Sequence, residues 1–362
     1  MKKLFIFAAA ALMMAACTNK NAYTVGGDIT VAQDGDTVAL AIPQSRSLET
    51  LAQTVIKDGK YQIKGTTDTC QIAYITVGGR PRMILFLEPG NIKANLIEGE
   101  NNQAVGTLNN NRMEAFNSLL EGALEGYGEL NQRLQADDIT EAEIAEVRSK
   151  MEVMEKKYDE AVKSGVLENA DCPFGLYLLQ QYNYNFEAEE LAPILDEYVK
   201  NFPNNETVLR TKDNNDKVLA SSVGKPFIDF EMANMAGGTS KLSDFVKLNK
   251  VTLVDFWASW CGPCRQEMPN VKAAYEKFGA KGFGIVGVSL DRDEEAWKKC
   301  VTDMGMAWPQ LSDLKYWDCE GAALYGVRAI PATVLIGQDG VILARNLRGE
   351  QLTEKIAEVL GE

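Results

Sequence analysis

The chain has 362 residues, too many for one small domain, and 46% hydrophobic with 24% charged residues places it among folded rather than disordered proteins. A formal charge of −14 at pH 7 argues against a nucleic-acid partner, because phosphate binding needs a Lys/Arg surplus on some face. The sequence contains no His, so the commonest general base and metal ligand is missing, and catalysis must run on Cys, carboxylates, Lys or backbone groups.

At the N-terminus, Lys2 and Lys3 precede an apolar run from Leu4 to Ala16. That run has signal-peptide length and is too short to remain as a membrane-spanning helix. It ends Met14-Ala15-Ala16-Cys17, which resembles the lipobox of bacterial lipoproteins, with Met14 where Leu is usual. The resemblance implies that residues 1–16 are a signal peptide, that Cys17 carries lipid, and that residues 17–22 are a polar tether. The competing reading is plain secretion with Cys17 unmodified. Lipidation would hold the chain at a membrane in the cell envelope of a Gram-negative bacterium, facing the periplasm.

From Tyr23 to Ile97, short apolar segments alternate with turn signals at Asp34-Gly35, Asp58-Gly59, Gly78-Gly79 and Pro89-Gly90. Segments such as Thr37 to Ile42, Tyr61 to Ile63 and Arg82 to Leu87 predict an antiparallel, sandwich-like β-domain over residues 23–110. Residues 111–221 read as helical. Phe116, Leu120, Ala123, Tyr127, Leu130 and Leu134 recur at spacings of four and three, as do Ile144, Val147, Met151, Met154 and Tyr158. Thr140 and Glu143 fit a capping box at the second start, while Gly122, Gly126 and Gly128 weaken the first helix. The region is either a connector with its own core or an arm for dimerisation or client binding.

Residues 222–362 alternate strand and helix patterns. Val251 to Trp257 and Gly284 to Leu290 read as buried strands, and Pro263 to Phe278 and Glu294 to Met304 as helices. A hairpin across Gln338-Asp339-Gly340 and a helix from Leu352 to Leu360 close the chain. The expected architecture is therefore multi-domain: an antiparallel β-domain, a helical connector and a C-terminal α/β domain whose sheet carries helices on both faces.

The stretch Val254-Asp255-Phe256-Trp257-Ala258-Ser259-Trp260-Cys261-Gly262-Pro263-Cys264 carries the chemistry. Disulfide exchange needs a thiol that ionises near neutral pH, and a strand-to-helix junction offers free N–H groups and a helix dipole to favour the anion. Cys261 is read as the exposed nucleophile, and Cys264, one turn on, as the buried resolving thiol. A zinc site is the competing reading of Cys-x-x-Cys, and it lacks a second such pair and any His. This stretch resembles the thioredoxin active site, over about residues 222–362 and closest to the TlpA/ResA-like membrane-tethered branch. That branch adds a helix-and-strand insert, which residues 291–312 could supply. The N-terminal part looks like the β-domain of unknown role that precedes such thioredoxins in some envelope lipoproteins.

The resemblance implies a redox-active Cys261–Cys264 disulfide, a thioredoxin fold and no cofactor. It implies that Asp255 accepts or relays the Cys264 proton and that Glu267 tunes the thiols or meets a client. Glu267 as an ordinary surface charge on a helix is the other reading. Ile330-Pro331-Ala332-Thr333 matches the loop that faces the disulfide, where the proline is cis; an ordinary trans proline is the alternative. Trp260, Gly262, Pro263, Ile330 and Pro331 are the expected client-binding residues. Trp297, Trp308 and Trp317 read as core or groove aromatics.

Cys70, Cys172, Cys300 and Cys319 remain, either as buried free thiols or with Cys300 and Cys319 bonded. The favoured function is reduction of disulfides in oxidised protein clients, apocytochrome c being one candidate, with a membrane thiol as electron donor. Two alternatives stand beside it. A thiol peroxidase would share the fold, but the Pro-x-x-x-Thr-x-x-Cys arrangement is absent and Thr252 leads into a strand. A lipoprotein that binds a ligand or partner through residues 23–221 would use the redox domain only as an accessory.

Overall fold

Tyr23 and Val25 are buried while Ala22 and Thr24 are not, the two-residue period of a strand with one face on a core. The computed structural model describes residues 19–362, so the signal segment and Cys17 lie outside the described residues. The chain divides into two compact units after Asn185.

The first unit opens with β1 (Ala22–Asp28), β2 (Thr37–Pro43), β3 (Leu48–Val55) and β4 (Lys60–Thr66). It continues through β5 (Gln71–Val77), β6 (Arg80–Leu87), β7 (Gly90–Ala94) and β8 (Ala104–Val105). They form two four-stranded sheets, ordered β4-β1-β7-β8 and β3-β2-β5-β6. Val25, Ile63 and Ile92 of one sheet share a buried cluster with Leu40, Ile75 and Leu85 of the other, which makes the pair a sandwich. It is not wholly antiparallel, because β7 runs parallel to β1. Five strands intervene between them, a connection long enough for the parallel crossing that a hairpin cannot make.

Helices α1 (Leu108–Ala123), α2 (Tyr127–Leu134), α3 (Glu141–Glu168) and α4 (Pro173–Tyr182) complete this unit. The first predicted helix breaks between α1 and α2 at Gly126, whose φ of 84° an L side chain rarely adopts. Thr140 and Glu143 form the expected capping box, the Thr140 hydroxyl accepting from the Glu143 N–H and the Glu143 carboxylate from that of Thr140. Buried Asn110 binds the β6 backbone like a strand, accepting from the Phe86 N–H at 2.9 Å and donating to its carbonyl at 2.7 Å. Edge-on ring contacts of Phe86 with Phe174 and of Phe116 with Phe174 join β6, α1 and α4.

The second unit starts with α5 (Ala188–Asn201) and α6 (Glu206–Ala220), so a boundary at 222 falls inside it. Contacts distant in sequence explain this. Arg345 donates to the carbonyls of Ser221 (2.7 Å) and Tyr325 (2.8 Å), and Asn214 donates to Gly326. Next come β9 (Glu231–Asn234), β10 (Thr239–Lys241), α7 (Leu242–Val246), β11 (Val251–Trp257), α8 (Gly262–Phe278) and β12 (Phe283–Ser289). Then follow α9 (Glu294–Met304), β13 (Gln310–Ser312), α10 (Glu320–Leu324), β14 (Ala332–Gly337), β15 (Ile342–Arg345) and α11 (Gly349–Leu360). One sheet runs β10-β9-β13-β12-β11-β14-β15. Every residue of β11 and β12 is buried, as expected for parallel strands covered on both faces. The insert over 291–312 supplies α9 and β13.

Candidate active site

Central strand β11 carries Asp255 into the core, where it is 3% exposed. The chain then turns through Ala258 to Trp260 into α8. Buried Asp291 holds that turn, accepting from the Ser259 N–H (3.0 Å), the Ser259 hydroxyl (2.6 Å) and the Ser289 hydroxyl (2.7 Å). Sequence reasoning missed Asp291, since Ser259 lies 32 residues away along the chain.

Cys261 is the N-cap of α8, and its Sγ accepts from the Cys264 N–H at 3.1 Å. Pro263 occupies the first turn, where a missing N–H costs no helical bond. Cys261 and Cys264 are joined by a disulfide, with Cα atoms 5.3 Å apart. Cys261 is only 5% exposed, against the expectation of an open nucleophile. The loop opposite covers it: the Ile330–Pro331 bond is cis, and the Ile330 carbonyl oxygen lies 3.7 Å from Cys261 Sγ. Arg348 donates to the Pro331 carbonyl at 2.6 Å and Thr333 Oγ1 to that of Leu347, bracing the loop from α11.

Asp255 pairs across the sheet with Thr333, two residues past Pro331. Burial first, and the Glu267 carboxylate second, push its carboxyl up to about 7. Glu267 is half-buried on α8 one turn past Cys264. Its Oε1 accepts from the Gly349 N–H at 2.7 Å at the start of α11, and its Oε2 from Asn270. It is thus anchored to backbone rather than free in solvent. The chain brings Asp255, Glu267, the two cysteines, Ile330 and Pro331 to one end of the sheet.

Trp260 is 45% exposed beside the disulfide, its ring 5.0 Å from Tyr316 and 6.0 Å from Trp317. Arg292 stacks over Tyr316 at 4.2 Å. Trp297 and Trp308 are core residues, whereas Trp317 is 40% exposed in this surface cluster. Tyr316 and Trp317 escaped the sequence reading because nothing local shows that they meet Trp260. Cys300 and Cys319 are free thiols, so the bond considered between them is not formed. Thr252, which a peroxidase would need near its thiol, sits inside β11 with its hydroxyl buried and unbonded. Among the described residues no group of three or more Cys, Asp or Glu is placed to hold a metal.

Residues 223–345 match the AhpC/TSA family, and residues 23–113 match a domain of unknown function, DUF4369. Over 138 residues the chain is 31% identical to the thiol-disulfide oxidoreductase ResA of Bacillus thuringiensis subsp. konkukian, covering 38% of this chain and 76% of that protein. It is 30% identical over 129 residues to the thioredoxin-like protein YneN of Bacillus subtilis, covering 35% of this chain and 72% of YneN. A crystal structure of the thioredoxin domain of a thiol-disulfide oxidoreductase from Bacteroides vulgatus is 32% identical, with a TM-score of 0.36, covering 38% of this chain and 98% of that one. With three-quarters of a ResA covered at this identity, and a Cys-Gly-Pro-Cys turn leaving the central strand of a thioredoxin-like sheet, the chain belongs to the thiol-disulfide oxidoreductases.

Proposed function

We propose that the chain is a lipid-anchored reductant of protein disulfides, held through Cys17 in a Gram-negative envelope and facing the periplasm. Its clients are oxidised envelope proteins, apocytochrome c among them, and a membrane thiol restores the reduced form. Cys261 attacks one sulfur of the client disulfide, forming a mixed disulfide and releasing one client thiol. Cys264 then attacks the Cys261 sulfur, closes the Cys261–Cys264 bond and releases the second client thiol. Two electrons pass to the client.

One observation supports this reading above the others: Asp255, buried in the strand that feeds Cys261, is held up to about 7. A carboxylate poised there takes the Cys264 proton near working pH. In this reading Glu267 sets how readily Asp255 gives up its own proton. The Ile330 backbone beside cis Pro331 offers a strand-like edge to the client, and Trp260, Gly262 and Pro263 form the rim against which it rests. The direction rests on the Gly262-Pro263 pair, which is similar to that of reducing thioredoxins.

The test is the equilibrium reduction potential of Cys261–Cys264 against glutathione, with Cys261→Ser as control. A value near about −270 mV supports a reductant, and one near about −120 mV makes the protein an oxidant and overturns the direction proposed.

A further inference from the structure

The sequence has five Trp residues, and the fold treats them in two ways. Trp257, Trp297 and Trp308 are buried. Trp260 and Trp317 are exposed, and they meet each other beside the disulfide. Tyr316 closes the group: its ring lies 5.0 Å from Trp260 and 5.9 Å from Trp317, so each ring touches the other two. Both halves of this cluster are fastened to the end of β12. Asp291 holds the Ser259 N–H and hydroxyl, which fixes the backbone leading into Trp260. Arg292, the next residue, lies over Tyr316 and covers one face of its ring. The loop from β13 to α10 carries the other two rings. At its start Ser312 Oγ donates to the Ser289 carbonyl at 2.9 Å and accepts from the Leu314 N–H at 3.2 Å. The Asp313 carboxylate accepts from the N–H groups of Lys315 and Glu320, on either side of the two rings. Leu314 and Tyr316 have φ of 58° and 62°, a left-handed conformation that residues other than Gly rarely adopt. A loop that only joined β13 to α10 would need neither two such residues nor a Trp ring turned to water. Strain and exposed aromatic surface both cost stability, and both are features of ligand-contacting segments.

We infer that Trp260, Tyr316 and Trp317 form a subsite that selects clients by an aromatic or leucine side chain two residues from the client's reacting cysteine. The inference rests on the attack of Cys261 on client disulfides proposed above. That chemistry sets the position of the subsite. A client strand laid along the Ile330 backbone turns every second side chain to the same face, about 7 Å apart. With the client cysteine at Cys261, a neighbour two residues away on that face falls at Trp260, the residue before Cys261, and at the rings that Trp260 touches. The chemistry of the occupant follows from the rings. They are set at 47°, 61° and 74° to one another and so present mainly edges and faces, which suit a further ring or a branched aliphatic chain. The guanidinium at the cluster, that of Arg292, is already engaged with Tyr316. Trp and Tyr are also the residue types whose contacts carry most binding energy at protein interfaces.

The test uses two peptides with one cysteine each. The first has Trp two residues before the cysteine and Leu two residues after it; the second has Ser at both places. Each is oxidised to its symmetric disulfide dimer and mixed with the reduced full chain. Attack by Cys261 leaves one peptide on its sulfur and releases the other as a thiol. Closure by Cys264 releases the second, so two peptide thiols appear for each Cys261–Cys264 disulfide formed. The apolar dimer is expected to react roughly three- to tenfold faster at low concentration, the scale of an aromatic contact, with the two rates converging at saturation. Tyr316→Ala and Trp317→Ala are each expected to remove most of that preference, and Trp317→Phe to keep it. Equal rates for the two dimers with the unsubstituted chain overturn the inference, and that comparison needs no variant to fold. A preference that survives both alanine variants overturns it as well. A chain that reduces neither dimer overturns the Cys261 reading itself, and the subsite with it.

Discussion

Asp255 shows how one buried side chain couples stability to pH. Its folded pKa of about 7 lies above the unfolded value, so the folded chain holds the extra proton between these limits. This contribution is complete below the ordinary carboxylate range near 3.8 and is lost as pH rises to about 7, on the order of 4 kcal/mol at 1.36 kcal/mol per pH unit. Asp255→Asn is therefore expected to flatten the pH dependence of the urea midpoint between pH 4 and 8 and to raise stability at the alkaline end. The same variant is expected to slow resolution of a Cys261 mixed disulfide by roughly 10²-fold, measured by quenched-flow alkylation. Parallel pH profiles for variant and parent would remove Asp255 from this role. Asp255 was legible in sequence as a charge inside an apolar strand. The shielding of Cys261 was not, because it comes from Ile330, 69 residues away.

At the scale of elements, the pairing of β12 with β13 depends on an absent side chain. A methyl on Gly287 would land on the buried Gln310 amide, whose Oε1 accepts from Trp257 Nε1 at 3.0 Å. Gly287→Ala is expected to cost about 1–3 kcal/mol through overpacking, read as a lower urea midpoint with quenched Trp fluorescence altered by loss of that bond. An unchanged midpoint would mean that Gln310 moves aside freely. Long apolar strands such as β11 and β12 announce themselves in sequence. The three residues of β13 do not, since Gln310, Leu311 and Ser312 are too few to show a period and two of them are polar. Pairing with β12 on one side and β9 on the other makes them a strand.

For the whole molecule, the compact unit that holds the disulfide begins at Phe186, ahead of the residue 222 from which the thioredoxin resemblance runs. Helices α5 and α6 share the amphipathic pattern of the helices before them, and nothing local assigns them to the sheet that follows. Arg345 decides their place by reaching the carbonyl of Ser221 at the end of α6. A fragment of residues 186–362 is expected to unfold cooperatively with the same Cys261–Cys264 potential as the full chain. A fragment starting at 222 is expected to be less stable by about 1.5–3 kcal/mol, the scale of a hydrogen bond to a charged donor left without its partner. Urea unfolding of the two fragments checks this, and equal midpoints would take α6 out of the unit.

The sequence by itself determined the class of chemistry, the Cys-x-x-Cys pair, a carboxylate inside the apolar strand that precedes it and the order of sandwich, helices and α/β sheet. These rest on short-range chemistry: a Cys-x-x-Cys spacing, strand and helix periods, a capping box and turn residues. Tertiary structure alone decided that Ile330 roofs Cys261, that Asp291 ties the active-site turn, that Trp260 joins Tyr316 and Trp317, and that Asn109 ties Glu88 to the start of α4. Most of these contacts join residues tens of positions apart, and their geometry exists only after buried apolar faces have chosen their partners.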